Sequence, residues 1–90
     1  MSNPKVSFIV AVYNTQEFLP RCLDSLLIQT CRDIEIVVVN DGSTDDSAAI
    51  IAAYARKDAR VRAIAKPNGG ISSARNAGID IARGKIVDFV

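Results

Sequence analysis

Two positions in this 90-residue chain follow apolar runs and have side chains suited to binding a nucleotide. Tyr13 follows the run Val6–Val12 and offers a flat aromatic face on which a base can stack. Asp41 follows the run Ile34–Asn40 and can accept hydrogen bonds from a base N–H or from ribose hydroxyls. Taken alone, either residue is more simply explained by packing or by a polar turn.

A third candidate is the loop Lys66–Gly70, whose paired glycines precede a predicted helix. Its backbone can approach a ligand closely, and its N–H groups are expected to be free for an anion. Arg75, one turn into that helix, either reaches a phosphate or base carbonyl or is an ordinary exposed arginine. Gly42 permits a tight turn directly after Asp41. Each of these signals is weak by itself.

The elements that must position these residues alternate between apolar runs and helical segments of about a dozen residues. The run Ile34–Asn40 is almost continuously apolar, as in a strand buried on both faces of a parallel sheet. The predicted fold is an α/β doubly wound parallel sheet, β-α-β-α-β-α-β, which binds ligands at the carboxyl ends of its strands. The predicted strands are Val6–Val12, Ile34–Asn40, Val61–Ala65 and Ile86–Val90, and the predicted helices span about Gln16–Gln29, Thr44–Lys57 and Ile71–Arg83.

Polar residues and one glycine mark the predicted helix ends. Asn14, with Glu17 three residues later, is predicted to cap the first helix. Ser43 and Asp46 have the spacing of a capping box before the second helix. Gly84 is predicted to end the third.

Composition restricts the possible functions. The net charge is +1, from 11 basic and 10 acidic residues without a basic run, so nothing favours nucleic-acid binding. The longest apolar run near the N-terminus is too short for a membrane span or a signal peptide, and a cytoplasmic protein is expected. The absence of histidine excludes a His-ligated metal site, and Cys22 and Cys31 have no metal or redox spacing.

A dinucleotide-binding site is the obvious competing interpretation, because it also places an acid after the second strand. It requires a G-x-G-x-x-G turn after the first strand, and here that turn is Val12-Tyr13-Asn14-Thr15, without glycine. The P-loop pattern is absent as well. A base-and-ribose site whose phosphates are bound elsewhere therefore fits the sequence better.

The sequence resembles the family 2 glycosyltransferases of the GT-A fold along Lys5–Val90. Five blocks match in order and spacing: VSFIVAVYN, CLDSLLIQT, DIEIVVVNDGSTDDS, NGGISSARNAGI and ARGKIVDFV. The resemblance implies transfer of a sugar from a nucleotide donor, commonly a UDP-sugar, to an acceptor, usually with inversion. It also implies the sheet order 3-2-1-4 for a Rossmann-like half of a GT-A fold. Ala11 departs from the proline usual in the family, and Asp88 from an apolar residue.

The same resemblance assigns roles to individual residues. It implies that Tyr13 and Asp41 lie against the base of the donor. The predicted nucleotide-binding set also contains their neighbours and the N-G-G…A-R-N region: Asn14, Gly42, Asn68, Gly69, Gly70 and Arg75. The family holds Mg or Mn with a D-x-D motif directly after the strand matching Ile86–Val90, and its catalytic aspartate lies much further on. Residues 1–90 are therefore expected to be the nucleotide-sugar-binding N-terminal part of the domain, ending before the D-x-D motif and inactive alone.

Two further expectations concern partners. A free-standing nucleotide- or partner-binding module without catalysis is the alternative to a glycosyltransferase fragment, and the sequence does not indicate an acceptor. The run Ile86–Val90 is apolar except for Asp88, and its uncovered face and edge predict a homo-oligomer of the chain. The opposing possibility is that the charge of Asp88 disfavours pairing at this edge sufficiently for the chain to remain a monomer.

Overall fold

The computed structural model describes residues 4–28 and 33–90. Strands and helices alternate along these residues in the predicted order. They are β1 (Val6–Val12), α1 (Leu19–Ile28), β2 (Ile34–Asp41), α2 (Ser47–Lys57), β3 (Val61–Lys66), α3 (Ile71–Ile81) and β4 (Ile86–Phe89). The predicted helix end at Gln29 and the residue Cys31 lie outside the described ranges.

The strands form one parallel sheet in the order β3-β2-β1-β4, which confirms the predicted α/β class and strand order. Every residue of β2 is buried, as its unbroken apolar run predicts for an interior strand. The register pairs Val6 with Ile34 and Val12 with Asn40. The carboxyl ends of β1 and β2 therefore lie side by side, and the loops that follow them begin at the same edge of the sheet.

Helices cover both faces of the sheet. On one face α1 and α2 bury Leu23 and Ile51 in a cluster that includes Val10 and Val38. On the other face α3 buries Ala74, whose cluster includes the alternate strand residues Ile9 and Val39. The period-2 alternation of the strands thus supplies a separate core to each face, and the fold is doubly wound.

Several helix ends differ from the predicted ones. The helix α1 begins at Leu19, after a turn over residues 16–18, and α2 begins at Ser47 rather than at Thr44. Asp46 is the N-cap residue of α2 but makes no side-chain cap hydrogen bond. The predicted capping interactions are wrong, because the side chains of Asn14 and Ser43 bond to the neighbouring loop, as described below.

The prediction that Gly84 ends α3 is also wrong. The helix ends at Ile81, and its C-cap Ala82 is extended. Gly84 instead permits a close approach to β1, because a Cβ there would lie 2.6 Å from the backbone nitrogen of Ser7. Its N–H donates to Ser7 Oγ at 2.8 Å. This contact fixes the chain just before β4.

A buried polar cluster surrounds Glu35, which is 4% exposed. Its carboxylate accepts hydrogen bonds from Ser7 Oγ, from the Arg83 N–H and from Arg62 Nη1, the last at 2.7 Å. Burial disfavours the charged carboxylate, but these hydrogen bonds and the Arg62 charge hold the pKa of Glu35 below its ordinary value. Through Ser7 and Arg83 the cluster joins β1 and β2 to the segment between α3 and β4.

The strand β4 forms one edge of the sheet, next to β1, and all its residues are exposed. None of the described helices has the length and apolar character needed to cross a membrane.

Candidate functional site

A cleft of about 340 Å³ opens at the carboxyl ends of β1 and β2, beside the start of α3. Tyr13 lines it from the β1–α1 loop (residues 13–18), and Asp41 lines it from the end of β2. Asn68 and Gly70 line it from the β3–α3 loop (residues 67–70). The Tyr13 side is open, since this residue is 50% exposed. Candidate residues from three separate parts of the sequence are therefore brought together in one cleft.

The remaining lining of the cleft is largely apolar. It consists of Ala11, Val12, Thr15, Ile71 and Ala74. Among the described residues that line the cleft, Asp41 alone is charged. Apolar walls with a few polar groups suit a flat, uncharged ring better than a phosphate.

The carboxylate of Asp41 is buried and held by four donors. Its Oδ1 accepts hydrogen bonds from Lys66 Nζ at 2.8 Å and from the Gly69 N–H at 3.0 Å. Its Oδ2 accepts from the Gly70 N–H at 3.0 Å and from Asn68 Nδ2 at 3.3 Å. The hydrogen bond from Lys66, aided by those from the two glycines, holds the pKa of Asp41 below its usual range. Asp41 is therefore an ionised group that only accepts hydrogen bonds.

This geometry corrects the expectation that the paired glycines offer free N–H groups to an anion. Both N–H groups donate to Asp41. The physical reason is that a carboxylate of the protein already occupies the anion position at the N-terminus of α3. Gly70 supports this arrangement with a φ of 94°, a backbone conformation that residues with a side chain rarely adopt.

Gly42 brings the β2–α2 loop (residues 42–46) against the β3–α3 loop. Its φ is 74°, and a Cβ at this position would lie 2.7 Å from the backbone nitrogen of Asn68. The amide of Asn68 also donates to the backbone oxygen of Asp41 at 3.0 Å. The predicted tight turn at Gly42 is thus present, and it lets two loops pack directly against each other.

Asn14 does not line the cleft; it joins the β1–α1 loop to the β2–α2 loop. Its φ is 51°, in the left-handed region. Its N–H donates to Ser43 Oγ at 3.0 Å, and its Oδ1 accepts from the N–H groups of Thr44 at 2.7 Å and Asp45 at 3.3 Å. Asn14 and Ser43 therefore do not cap the helices to which the sequence assigned them.

Gln16 and Asp45 extend this connection between the two loops. The Gln16 N–H donates to Asp45 Oδ2 at 3.2 Å, and Gln16 Oε1 accepts from the Asp46 N–H at 2.9 Å. The Thr15 N–H donates to Ser47 Oγ at 3.2 Å. The backbone that follows Tyr13 is consequently fixed relative to the end of β2.

Arg75 does not reach the cleft. Its guanidinium carbon lies 5.2 Å from the ring centroid of Phe89, which is a cation–π contact with β4. The structure thus places Arg75 against β4 and not among the residues that line the cleft.

Lys66 contacts Asp41, although the sequence placed it only in the candidate loop Lys66–Gly70 and gave it no role of its own. The predicted third strand ends at Ala65, whereas β3 extends to Lys66 and pairs this residue with Asp41. The sequence contained a signal for this contact: a basic residue directly follows the third predicted strand, and an acidic residue directly follows the second.

The described residues do not fit a divalent metal. Within residues 4–28 and 33–90, no three Asp, Glu or Cys side chains lie close enough together to hold an ion. Asp41, the carboxylate in the cleft, already has the ammonium group of Lys66 beside it. The D-x-D motif that the resemblance implies would follow Val90.

A doubly wound parallel sheet with a cleft at its carboxyl edge defines a class of ligand-binding α/β domains. The family model described as Glycosyl transferase family 2 matches residues 7–90, and the chain belongs to this family. The resemblance found in the sequence is thereby confirmed.

Curated relatives agree with this assignment. The uncharacterized glycosyltransferase EpsJ of Bacillus subtilis (strain 168) is 55% identical over 87 residues, which are 97% of this chain and 25% of EpsJ. Chondroitin synthase of Pasteurella multocida (strain Pm70) is 44% identical over 81 residues, 90% of this chain and 8% of that protein. The chain thus spans a quarter or less of the length of these relatives.

Solved structures show the same fold. S. aureus TarS 1-349 in complex with UDP-GlcNAc superposes with a TM-score of 0.88 at 34% identity, covering 96% of this chain and 26% of that one. The mannosyltransferase PcManGT from Pyrobaculum calidifontis, in complex with GDP-Man and Mn²⁺, gives 0.85 at 26% identity, covering 97% and 27%. The predicted Rossmann-like half of a GT-A fold is confirmed.

Proposed function

We propose that this chain is the nucleotide-binding portion of a glycosyltransferase and that its cleft binds the base and ribose of a nucleotide-sugar donor. The observation that carries this proposal is the convergence of Tyr13, Asp41 and Asn68 around an apolar pocket. The two structures compared above support it, because one holds UDP-GlcNAc and the other GDP-Man. We favour a UDP-sugar, since the structure with the higher identity of the two contains one.

In this proposal the half-exposed ring of Tyr13 stacks on the base. Asp41 accepts a hydrogen bond from a base N–H or a ribose hydroxyl, and it does so in exchange for its longest present contact, that with Asn68 Nδ2 at 3.3 Å. Asn14 and Gly42 act indirectly, by fixing the loops that carry Tyr13 and Asn68.

Sugar transfer itself belongs, in this proposal, to residues outside the chain. The family resemblance assigns a divalent metal, Mg or Mn, and a catalytic carboxylate to later segments, and PcManGT was solved with Mn²⁺. We therefore expect no transferase activity from residues 1–90 alone. We also propose a cytoplasmic location for this part. A free-standing binding module is the alternative. A D-x-D motif within a few codons after Val90 supports the enzyme, and a stop codon there supports the module.

Saturation-transfer NMR and calorimetry with UDP, GDP and CDP test the site directly. Tyr13→Ala is expected to weaken UDP binding roughly tenfold, the scale of losing one base–aromatic stack. The matched control is Phe18→Ala, because Phe18 is 69% exposed and does not line the cleft. Equal losses in both variants, or no loss in Tyr13→Ala, would contradict the proposed site.

A further inference from the structure

Lys66 and Asp41 form an ion pair that is largely withdrawn from water. Lys66 Nζ lies 2.8 Å from Asp41 Oδ1, and the two side chains are 19% and 5% exposed. The same ammonium group donates to the backbone oxygen of Pro67 at 2.7 Å. Lys66 is therefore held at both the end of β2 and the start of the β3–α3 loop.

The two carboxylate oxygens of Asp41 have different surroundings. Oδ1 is bonded to Lys66 and Gly69, neither of which lines the cleft, whereas Oδ2 is bonded to Gly70 and Asn68, which both do. Asn68 Nδ2 has a second acceptor, the backbone oxygen of Asp41 at 3.0 Å. Oδ2 is thus the oxygen that can take a donor from a ligand, because Asn68 keeps a hydrogen bond when it releases the carboxylate.

We propose that Lys66 is a positioning residue of the nucleotide site, which anchors Oδ1 of Asp41 so that the carboxylate stays ionised and Oδ2 stays available to a donor in the cleft. This inference rests on the proposed base-binding role of Asp41. Without the ammonium group, the carboxylate would lose the charge that offsets its burial and one of the two donors that hold Oδ1.

Other charged groups near the cleft do not substitute for Lys66. The start of α3 contributes only backbone N–H groups to Asp41. Asp45, in the β2–α2 loop, accepts hydrogen bonds from the N–H groups of Gln16 and Ser47. Arg75, on α3, is stacked on the ring of Phe89 in β4. Removing the charge of Lys66 is therefore expected to raise the pKa of Asp41.

The first test follows the ¹³C resonance of the Asp41 carboxyl group against pH in the ligand-free chain. Lys66→Met should move its titration midpoint upward, and Lys66→Arg should retain the low midpoint. Lys57→Met is the matched control, because Lys57 is exposed at the end of α2. Amide spectra establish that each variant is folded. An unchanged midpoint in folded Lys66→Met overturns the proposal.

The second test measures UDP affinity as a function of pH. At neutral pH, Lys66→Met is expected to bind UDP roughly 3- to 10-fold more weakly, the scale of one hydrogen bond. The loss should grow as the pH falls, and Lys66→Arg should restore affinity. Equal affinity of the Met variant at every pH overturns the positioning role. If the unmodified chain does not bind UDP, the proposed function fails, and the carboxyl titration still decides whether Lys66 controls Asp41.

Discussion

The side-chain oxygen of Asn14 accepts a hydrogen bond from the backbone N–H of Thr44 at 2.7 Å, and this contact joins the loops that follow β1 and β2. Neither loop contains a regular element, so the position of Tyr13 depends on such contacts between them. The residue that the sequence suggests as a ligand contact or helix cap is therefore a connector between loops.

Replacing Asn14 by Ala should lower the free energy of unfolding by about 1–2 kcal/mol, because two backbone donors lose their acceptor. It should also weaken UDP binding, since the loop that carries Tyr13 is released. Asn14→Gly retains the left-handed backbone without the acceptor, and Asn14→Asp retains both. Urea unfolding of the three variants separates the effects. Full stability of the Gly variant would show that the backbone conformation, and not the hydrogen bond, is what matters.

Acid should destabilise the chain partly through Glu35. The pKa of Glu35 is lowered on folding, so its contribution to stability is present above its ordinary value of 4.5 and is lost as the pH falls below that value. Glu35→Gln should reduce stability at neutral pH by about 2 kcal/mol, because it leaves Arg62 without its ion pair. The stability of the Glu35→Gln variant should also depend less on pH below 4.5, the ordinary pKa of a glutamate. Denaturant unfolding at several pH values measures both effects. A profile parallel to that of the unmodified chain would contradict this account.

Alkaline titration should reveal the raised pKa of Tyr54. The hydroxyl of Tyr54 donates a hydrogen bond to Asp24 Oδ1 at 2.6 Å, and this contact raises the pKa of Tyr54 to about 12. The stabilising α1–α2 contact is thus present below the ordinary tyrosine pKa of 10.0 and is lost as the pH rises through about 12. Ultraviolet absorbance should show a phase near pH 12 that Tyr54→Phe removes. A phase near pH 12 that survives in Tyr54→Phe would refute the assignment.

We expect the chain to self-associate through β4. Its apolar side chains are exposed, Ile86 by 58% and Phe89 by 42%, and the strand edge beyond them has no neighbour in the described residues. The N–H groups of Ile86 and Val90 donate to the backbone oxygens of Lys5 and Ile9, on the side of β1, so the N–H of Val87 points to the open edge. Val87→Pro should therefore prevent edge pairing with a second copy without removing a bond to β1.

Light scattering at high micromolar concentration measures this association. The unmodified chain should show a mass above 9.7 kDa, and Val87→Pro should return it towards that value. A clean mass of 9.7 kDa for the unmodified chain would mean that Asp88 blunts the edge sufficiently. Continued association of the proline variant would point instead to packing between sheet faces.

The sequence predicts those parts of the molecule that depend on local pattern. The apolar runs predict β1 at its observed bounds and β2 to within one residue, because burial on both faces leaves a continuous signal. The starts of α1 and α2 were missed because Asn14, Ser43 and Asp45 bond to residues about 30 positions away. Such contacts have no local signature.

The same reason explains the incomplete prediction of the site. Tyr13 and Asp41 stand at strand ends, where the topology alone brings them together. Lys66 lies beside Asp41 through the register between β2 and β3, and Arg75 contacts Phe89 and does not line the cleft. Both facts depend on how separate elements pack, and the apolar periodicity of the sequence carries no information about that packing.

The order of the strands has a consequence for synthesis of the protein. β1 is made first and pairs with both β2 and β4, and β4 emerges from the ribosome only after all three helices. Pairing between β1 and β2 can be completed early, whereas the other edge of β1 stays open until β4 arrives. During that interval a nascent chain is exposed to mispairing with its neighbours. The contacts of Gly84 and Glu35 hold the segment before β4 against β1 and β2, so they place β4 next to the open edge of β1.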